Sequence, residues 1–302
     1  MPLCILGKEK TETNLALLHE AKKRFGSVFF VPIDGIGIGL GKSFSITYRT
    51  SDLLKFGAVF ARVPQQSYSY AYQLLSLFQR ETYMPVPPLA FLLATERFFL
   101  LTTLRKRGIK TINLHMVSSV KAGKRMLHSF DLPLVIRVPA QKTGVTVNSR
   151  MEARSILEAL GSLKQPALIE DSVKGVVSAY VARPEVVAAV RKVTKDEDPV
   201  FGEGSYKPHR LSAEARDLAL RTAEALDTDA LRVDMTLRGG ARVVNVELNP
   251  NLVAPSRATG INIPARVMEN VYRNYMLHEE KPALLKFFED AKSAVKDMFM
   301  EK

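Results

Sequence analysis

Asp234, Asn245, Glu247 and Asn249 are the residues whose types and spacing best suit joint chemistry. They lie within Arg232 to Asn249, a stretch that reads as two strands joined at Gly239-Gly240. Apolar side chains alternate on both strands, with Val233, Met235 and Leu237 on the first and Val244, Val246 and Leu248 on the second. The opposite face then carries the four polar residues. A two-residue turn at the glycines sets Asp234 opposite Asn245, with Glu247 as a diagonal neighbour roughly 7–8 Å away by Cα. Two carboxylates and an amide oxygen above an apolar floor suit Mg²⁺, which takes one or two carboxylates plus substrate phosphates. The same pattern also describes the solvated polar face of an amphipathic hairpin, because Asp and Glu are common on exposed faces. The hairpin alone leaves both readings open.

A second set of candidates lies upstream. Leu132–Val138 reads as a strand, Ala140–Gly144 as a break, and Val145–Asn148 as another strand. A loop of small and basic residues between two strands can cover phosphates with backbone N–H groups and Lys142. Arg137 interrupts the apolar run Leu134–Val138, so if that strand is buried its charge needs an anion or an acidic side chain. The other reading is an ordinary hairpin with Arg137 in solvent.

The elements around these residues can be read in order. Residues 3–6 form a strand, 13–25 a helix, and Ser27–Pro32 a strand. Gly35–Gly41 is glycine-rich and reads as a mobile loop. Strands at Ser43–Tyr48 and Ala58–Val63 and a helix at 69–80 complete a small α/β unit, closed by the stiff Met84–Pro88 connection. A helix runs from a Thr95 cap to Gly108. A strand at Thr111–Leu114, helices at 118–130 and 150–163 and a strand at Ala167–Glu170 frame the second candidate site. Two antiparallel strands meet at Arg183-Pro184, residues 196–209 read as a loop, and Ser212 caps a helix to 226. Helices near 264–277 and 282–298 follow the hairpin.

The chain of 302 residues is long enough for two or three compact units. No apolar run reaches the length of a membrane span, and the N-terminus lacks a secretory pattern. The single cysteine, Cys4, excludes an internal disulfide, suits a reducing cytoplasmic setting, and reads as a core residue. The net charge of +12 points to anionic partners. The basic residues are spread out, with no basic tail and no nucleic-acid motif, so an acidic small molecule or an acidic protein tail explains the charge as well as nucleic acid does.

Taken in order, these pieces resemble the ATP-grasp superfamily, and within it the RimK-type ligases that add glutamate to a carboxylate acceptor. Gly57–Val63, Ala94–Phe98, Leu104–Ile109, Pro133–Val138 and Val186–Lys192 carry the resemblance. So, more specifically, do Val233-Asp234 with Val246–Pro250 and Ala258–Ile263. The resemblance implies an α/β (α+β) ATP-grasp fold in which two subdomains with antiparallel sheets sandwich ATP. The implied units are a pre-ATP-grasp domain over 1–90, a lid over 91–172 and a C-terminal subdomain over 173–302. Asp234, Glu247 and Asn249 would be the metal ligands, for Mg²⁺ or its substitute Mn²⁺. Arg97 and Arg137 would stand where the family has two phosphate lysines. Lys142, Thr143 and Gly144 would belong to the phosphate-covering loop, and Glu170, Asp171 and Val173 to the adenine-holding segment. Lys192 would face the phosphates or an acyl phosphate. The reaction implied is ATP-dependent carboxylate–amine ligation, with an amino acid as the amine and no membrane; the oligomeric state stays open.

The departures bear on substrate. Arginine for lysine at both phosphate positions keeps charge but changes reach. An acidic residue and an arginine expected after the hinge are replaced by Val176 and Ser178, and the 196–209 region offers Lys207, His209 and Arg210 instead of its usual element. The alternative reading is an ATP-grasp nucleotide-binding protein without ligase activity.

Overall fold

The computed structural model describes residues 2–41, 44–139, 144–193 and 204–280. The N-terminal unit comprises β1 (Pro2–Gly7), α1 (Glu12–Ala21), β2 (Ser27–Pro32), β3 (Ile36–Leu40), β4 (Phe44–Tyr48), β5 (Ser51–Asp52), β6 (Ala58–Arg62) and α2 (Tyr68–Leu75). Strands β2-β1-β6 form a parallel sheet, and β3-β4-β5 form a separate antiparallel one. The glycine-rich segment is therefore a strand rather than the expected loop. Its alternate residues Ile36, Ile38 and Leu40 pair with Tyr48, Ile46 and Phe44, so cross-strand apolar contacts override the glycines between them.

Two short helices follow, α3 (Pro88–Thr95) and α4 (Arg97–Lys106). The sequence reading found one helix capped by Thr95. Instead, Pro88 opens an extra turn-rich helix, as proline at the first helical position does. The Thr95 hydroxyl donates back to the Phe91 carbonyl, and Glu96, in extended conformation, separates the two helices. This break brings Arg97 to the first position of α4.

The lid comprises β7 (Leu114–Val117), α5 (Val120–Met126), β8 (Leu134–Arg137), β9 (Gly144–Val147), α6 (Arg150–Ser162) and β10 (Ala167–Asp171). Its four strands form an antiparallel sheet in the order β7-β10-β8-β9. The first lid strand lies beyond the expected Thr111–Leu114; Thr111 instead bridges to Val243. A capping box between Ser149 and Glu152 starts α6. One face of the sheet, with Ile136 and Ile169, packs with Leu157 and Phe130 into a small separate core. The alternate residue Leu168 belongs to the main core. Helices α3 and α4 belong to the main core, and the smaller core runs from Val117 to Ile169.

The C-terminal unit comprises β11 (Val177–Ala182), β12 (Glu185–Val193), β13 (Ser205–Pro208), α7 (Ala213–Ala225), β14 (Ala230–Thr236), β15 (Arg242–Glu247), α8 (Val253–Thr259) and α9 (Ile263–Glu280). Its antiparallel sheet has the order β13-β12-β11-β14-β15. Strand β13 and helix α8 fall where no such elements were read. The first adds an edge to β12, with Tyr206 opposite Lys192. Among the described residues no helix is long and apolar enough to cross a membrane. The expected helix at 282–298 lies outside the described residues.

Candidate active site

The hairpin keeps its expected pairing by an unexpected route. The loop between β14 and β15 spans five residues, and Gly239 and Gly240 adopt positive φ of 71° and 98°. A bulge between Asp234 and Met235 takes up the difference, leaving Asp234 opposite Asn245 and Arg232 opposite Glu247. The polar face is not solvated: Asp234 is only 1% exposed.

Burial of a carboxylate requires partners, and Asp234 has four donors. Arg232 docks on it fork to fork, Nε to Oδ1 at 2.8 Å and Nη2 to Oδ2 at 2.8 Å. The Ser178 hydroxyl donates to Oδ1 at 2.6 Å, and Asn245 Nδ2 donates to Oδ2 at 3.1 Å. Register explains the convergence, since Ser178 on β11 pairs with Asp234 and Arg232 sits two residues earlier on the same face.

Glu247 sits at the half-buried end of β15. Its Oε1 accepts from the Tyr68 hydroxyl at 2.9 Å and from the Asn249 backbone N–H at 3.2 Å. Tyr68 is held by an edge-on contact with the Phe91 ring, centroids 5.3 Å apart, so the packing of α2 on α3 fixes this hydrogen bond. The buried Arg62, at the end of β6, donates from Nη2 to the Pro250 carbonyl at 2.7 Å. Burial pulls its guanidinium down to about 10, against the opposing pull of Glu247.

The lid contributes a second charged group. Arg137 and Glu170 share one face of the lid sheet, and both are buried. Arg137 Nε donates to Glu170 Oε1 at 2.7 Å, and Arg97 Nε donates to Oε2 at 2.8 Å. The buried Arg137 thus finds an acidic side chain, one of the outcomes its apolar strand required. Both oxygens of Glu170 are thus engaged by guanidiniums. Asp171, next in line, accepts from the Asn113 N–H at 3.0 Å and from Arg242 at 3.3 Å. Val173 is half-buried against the main core. Gly144 pairs with Arg137, and a Cβ there would lie 3.1 Å from the Arg137 Cζ and 2.8 Å from Val135, so glycine makes room for the guanidinium.

Arg97 Nη1 also reaches Asn245 Oδ1 at 3.4 Å. A buried polar chain therefore runs from Arg137 through Glu170, Arg97, Asn245 and Asp234 to Arg232, joining the two antiparallel sheets. Lys192 stands on the same face of the C-terminal sheet, two strands from Asp234, as the pairing of Val190 with Ser178 and Ser178 with Asp234 requires. Lys142 and Thr143 lie outside the described residues.

The donor set can be tested against a magnesium ion. Glu247 and Asn249, two residues apart and half-buried, offer hard oxygens that suit one ion shared with substrate phosphates. Asp234 does not fit as a third ligand, because its oxygens are saturated and an ion there would have to expel Arg232. Among the described residues no group of three or more His, Cys, Asp or Glu side chains gathers at a metal-binding distance.

Arg232, Arg62, Tyr68 and the contribution of Ser178 were not assigned from sequence. Strand periodicity alone puts Arg232 on the face of Asp234, two residues away. The contacts of Arg62 and Tyr68 with the hairpin join residues about 180 positions apart and leave no local signal.

The fold and this arrangement define an ATP-grasp ligase. The chain superposes on the ATP-grasp ligase PsnB, complexed with minimal precursor, Mg and ADP, with a TM-score of 0.70, 15% identity, and coverage of 90% of this chain and 97% of that one. It superposes on a RimK domain ATP-grasp protein from Sphaerobacter thermophilus with a TM-score of 0.68, 16% identity, and coverage of 90% and 99%. In sequence it is 24% identical over 290 residues to a protein of Salmonella paratyphi B named ribosomal protein bS6 L-glutamate ligase, covering 91% of this chain and 96% of that protein. It is 23% identical over 290 residues, with the same coverage, to a probable alpha-L-glutamate ligase of Citrobacter koseri. The model of the RimK-like ATP-grasp domain matches residues 94–271. The chain belongs to the RimK-like ATP-grasp family and is an ATP-dependent ligase of the carboxylate–amine class.

Proposed function

We propose that the chain adds glutamate or another amino acid to an acidic acceptor, a small molecule or a protein tail, through an acyl phosphate. The buried polar chain that links the two sheets is the observation that supports this most. It gathers several cations between the two sheets, which supports a reaction that brings a triphosphate and a carboxylate together. Such a reaction asks for charge neutralisation and alignment rather than a side-chain nucleophile.

In this reading Asp171 and Val173 offer the adenine pocket its backbone and walls. Arg97 and Arg137 face the phosphates from the lid side, and Gly144 lies beside Arg137. Glu247 and Asn249 hold a magnesium ion, which supplies charge stabilisation at the phosphates. The acceptor carboxylate oxygen bonds to the γ-phosphorus as the bond to ADP breaks. The amine nitrogen then bonds to the acyl carbon, phosphate leaves with the C–O bond electrons, and the amine gives up a proton. Lys192 stabilises the phosphate as it departs.

The relatives named as glutamate ligases favour glutamate as the amine. The test is an ADP-release assay with Mg²⁺, single amino acids and a panel of carboxylate acceptors, with products read by mass spectrometry. ADP release that requires both amine and acceptor, with a new amide in the product, is expected. Tight ATP binding with no turnover across the panel overturns the ligation reading in favour of a nucleotide-binding role.

A further inference from the structure

We propose that Arg232 is a resident cation of the phosphate-handling site and that Asp234 is its holder, not a metal ligand. The inference rests on the proposed handling of ATP at this site. The sequence pattern gathers two carboxylates on the hairpin as if to grip a metal ion between them. In the folded chain a guanidinium occupies that position. Arg232 is the direct cross-strand partner of Glu247 and docks bidentately on Asp234. Its side chain keeps 16% exposure while that of Asp234 keeps 2%, so the arginine is the member of the pair that reaches outward.

The fork to Asp234 uses only part of the guanidinium's donor set. Beside the fork the guanidinium also neighbours the buried Tyr180 hydroxyl, and the N–H groups left over are what an incoming phosphate or acyl phosphate meets. Ser178 and Asn245 complete the carboxylate and lock the fork in one orientation, as a planar guanidinium needs for directional contact. An ion at Asp234 would have to remove Arg232 and leave that guanidinium buried without its counter-charge, which is strongly unfavourable. The site thus combines one fixed organic cation at Asp234 with one exchangeable ion at Glu247 and Asn249.

The test counts metal ions as well as turnover. The full-length protein is saturated with ADP or a non-hydrolysable ATP analogue and titrated with Mn²⁺, read by electron paramagnetic resonance. One Mn²⁺ per nucleotide is expected for the unaltered chain and for Asp234→Asn. Arg232→Ala frees Asp234 and is expected to bind an additional ion, with turnover down on the order of 100-fold. Arg232→Lys keeps charge but loses the fork, and is expected to keep the single ion while losing turnover more than nucleotide affinity. Loss of the Mn²⁺ site in Asp234→Asn, or an additional ion in the unaltered chain, overturns the proposal. If Arg232→Ala does not fold, the unaltered chain, Asp234→Asn and Arg232→Lys still decide it. The expected ion count with no product on any acceptor would sink the proposed substrates and leave the role of Arg232 standing.

Discussion

The two sheets that face the site hold their charges in different ways. On the lid side one carboxylate, Glu170, holds two arginines, Arg97 and Arg137, so cations are in excess. On the hairpin side two carboxylates divide the arginines between them, Asp234 holding Arg232 and Glu247 lying near the buried Arg62. In the proposed function the lid side receives phosphate, and the hairpin side receives a cation together with it. Both halves are buried, so each needs its counter-charges in place before any ligand arrives.

Removing the carboxylate shared by the two lid-side arginines should have the largest effect. Glu170→Gln removes the carboxylate on which two buried guanidiniums converge and is expected to lower stability by about 3–5 kcal/mol in urea unfolding. An ATP analogue should recover more stability in this variant than in the unaltered chain, because phosphate supplies the missing charge. Equal recovery in both would break the picture of a phosphate-receiving lid.

On the hairpin side, Ser178→Ala removes one of four donors to a buried carboxylate. A loss of about 1.5–3 kcal/mol is expected, again by urea unfolding. A neutral result would mean that Asp234 does not depend on β11.

A smaller and more local effect is expected in the lid. Ser149→Ala removes the cap of α6 and should lower stability by about 1 kcal/mol. Hydrogen exchange should quicken in 144–171 and stay unchanged in 230–247. Matching changes in both would show that the two cores open as one.

Cys4 belongs to neither half and reports on global opening. Burial pushes its thiol from the ordinary 9.0 up to about 12, so the native chain should resist thiol reagents at pH 8. The folded state binds this proton more tightly than the unfolded state does. Its contribution to stability is therefore present below pH 9.0 and lost as pH rises toward about 12. Labelling at pH 8 should be faster in Ser178→Ala and unchanged in Ser149→Ala.

Much of the framework was legible in local pattern. Strand β2, helix α6, helix α7 with its Ser212 cap, and the antiparallel pair β11 and β12 fall where periodicity and capping put them. The face shared by Asp234 and Asn245 was also legible, because side-chain alternation survives a change of turn. The errors lie where long-range packing outweighs local preference. The glycine-rich 36–40 became a strand because β4 offers it apolar partners. The helix expected from Thr95 begins instead at Arg97, since the chain breaks at Glu96. Strand β13 forms because β12 offers it an unpaired edge.

By itself the sequence determined which residues share a face, which charges lie in apolar strands, and that Arg137 needs a partner if its strand is buried. Periodicity and burial are local properties, and a local reading recovers them. Only the tertiary structure decided who the partners are. Glu170 pairs with arginines 73 and 33 positions away, and Ser178 reaches Asp234 across 56. The structure likewise puts Arg232 on Asp234, a contact that the sequence reading did not assign. A carboxylate's role depends on which cation reaches it first, and that is set by strand register and packing rather than by the residue itself.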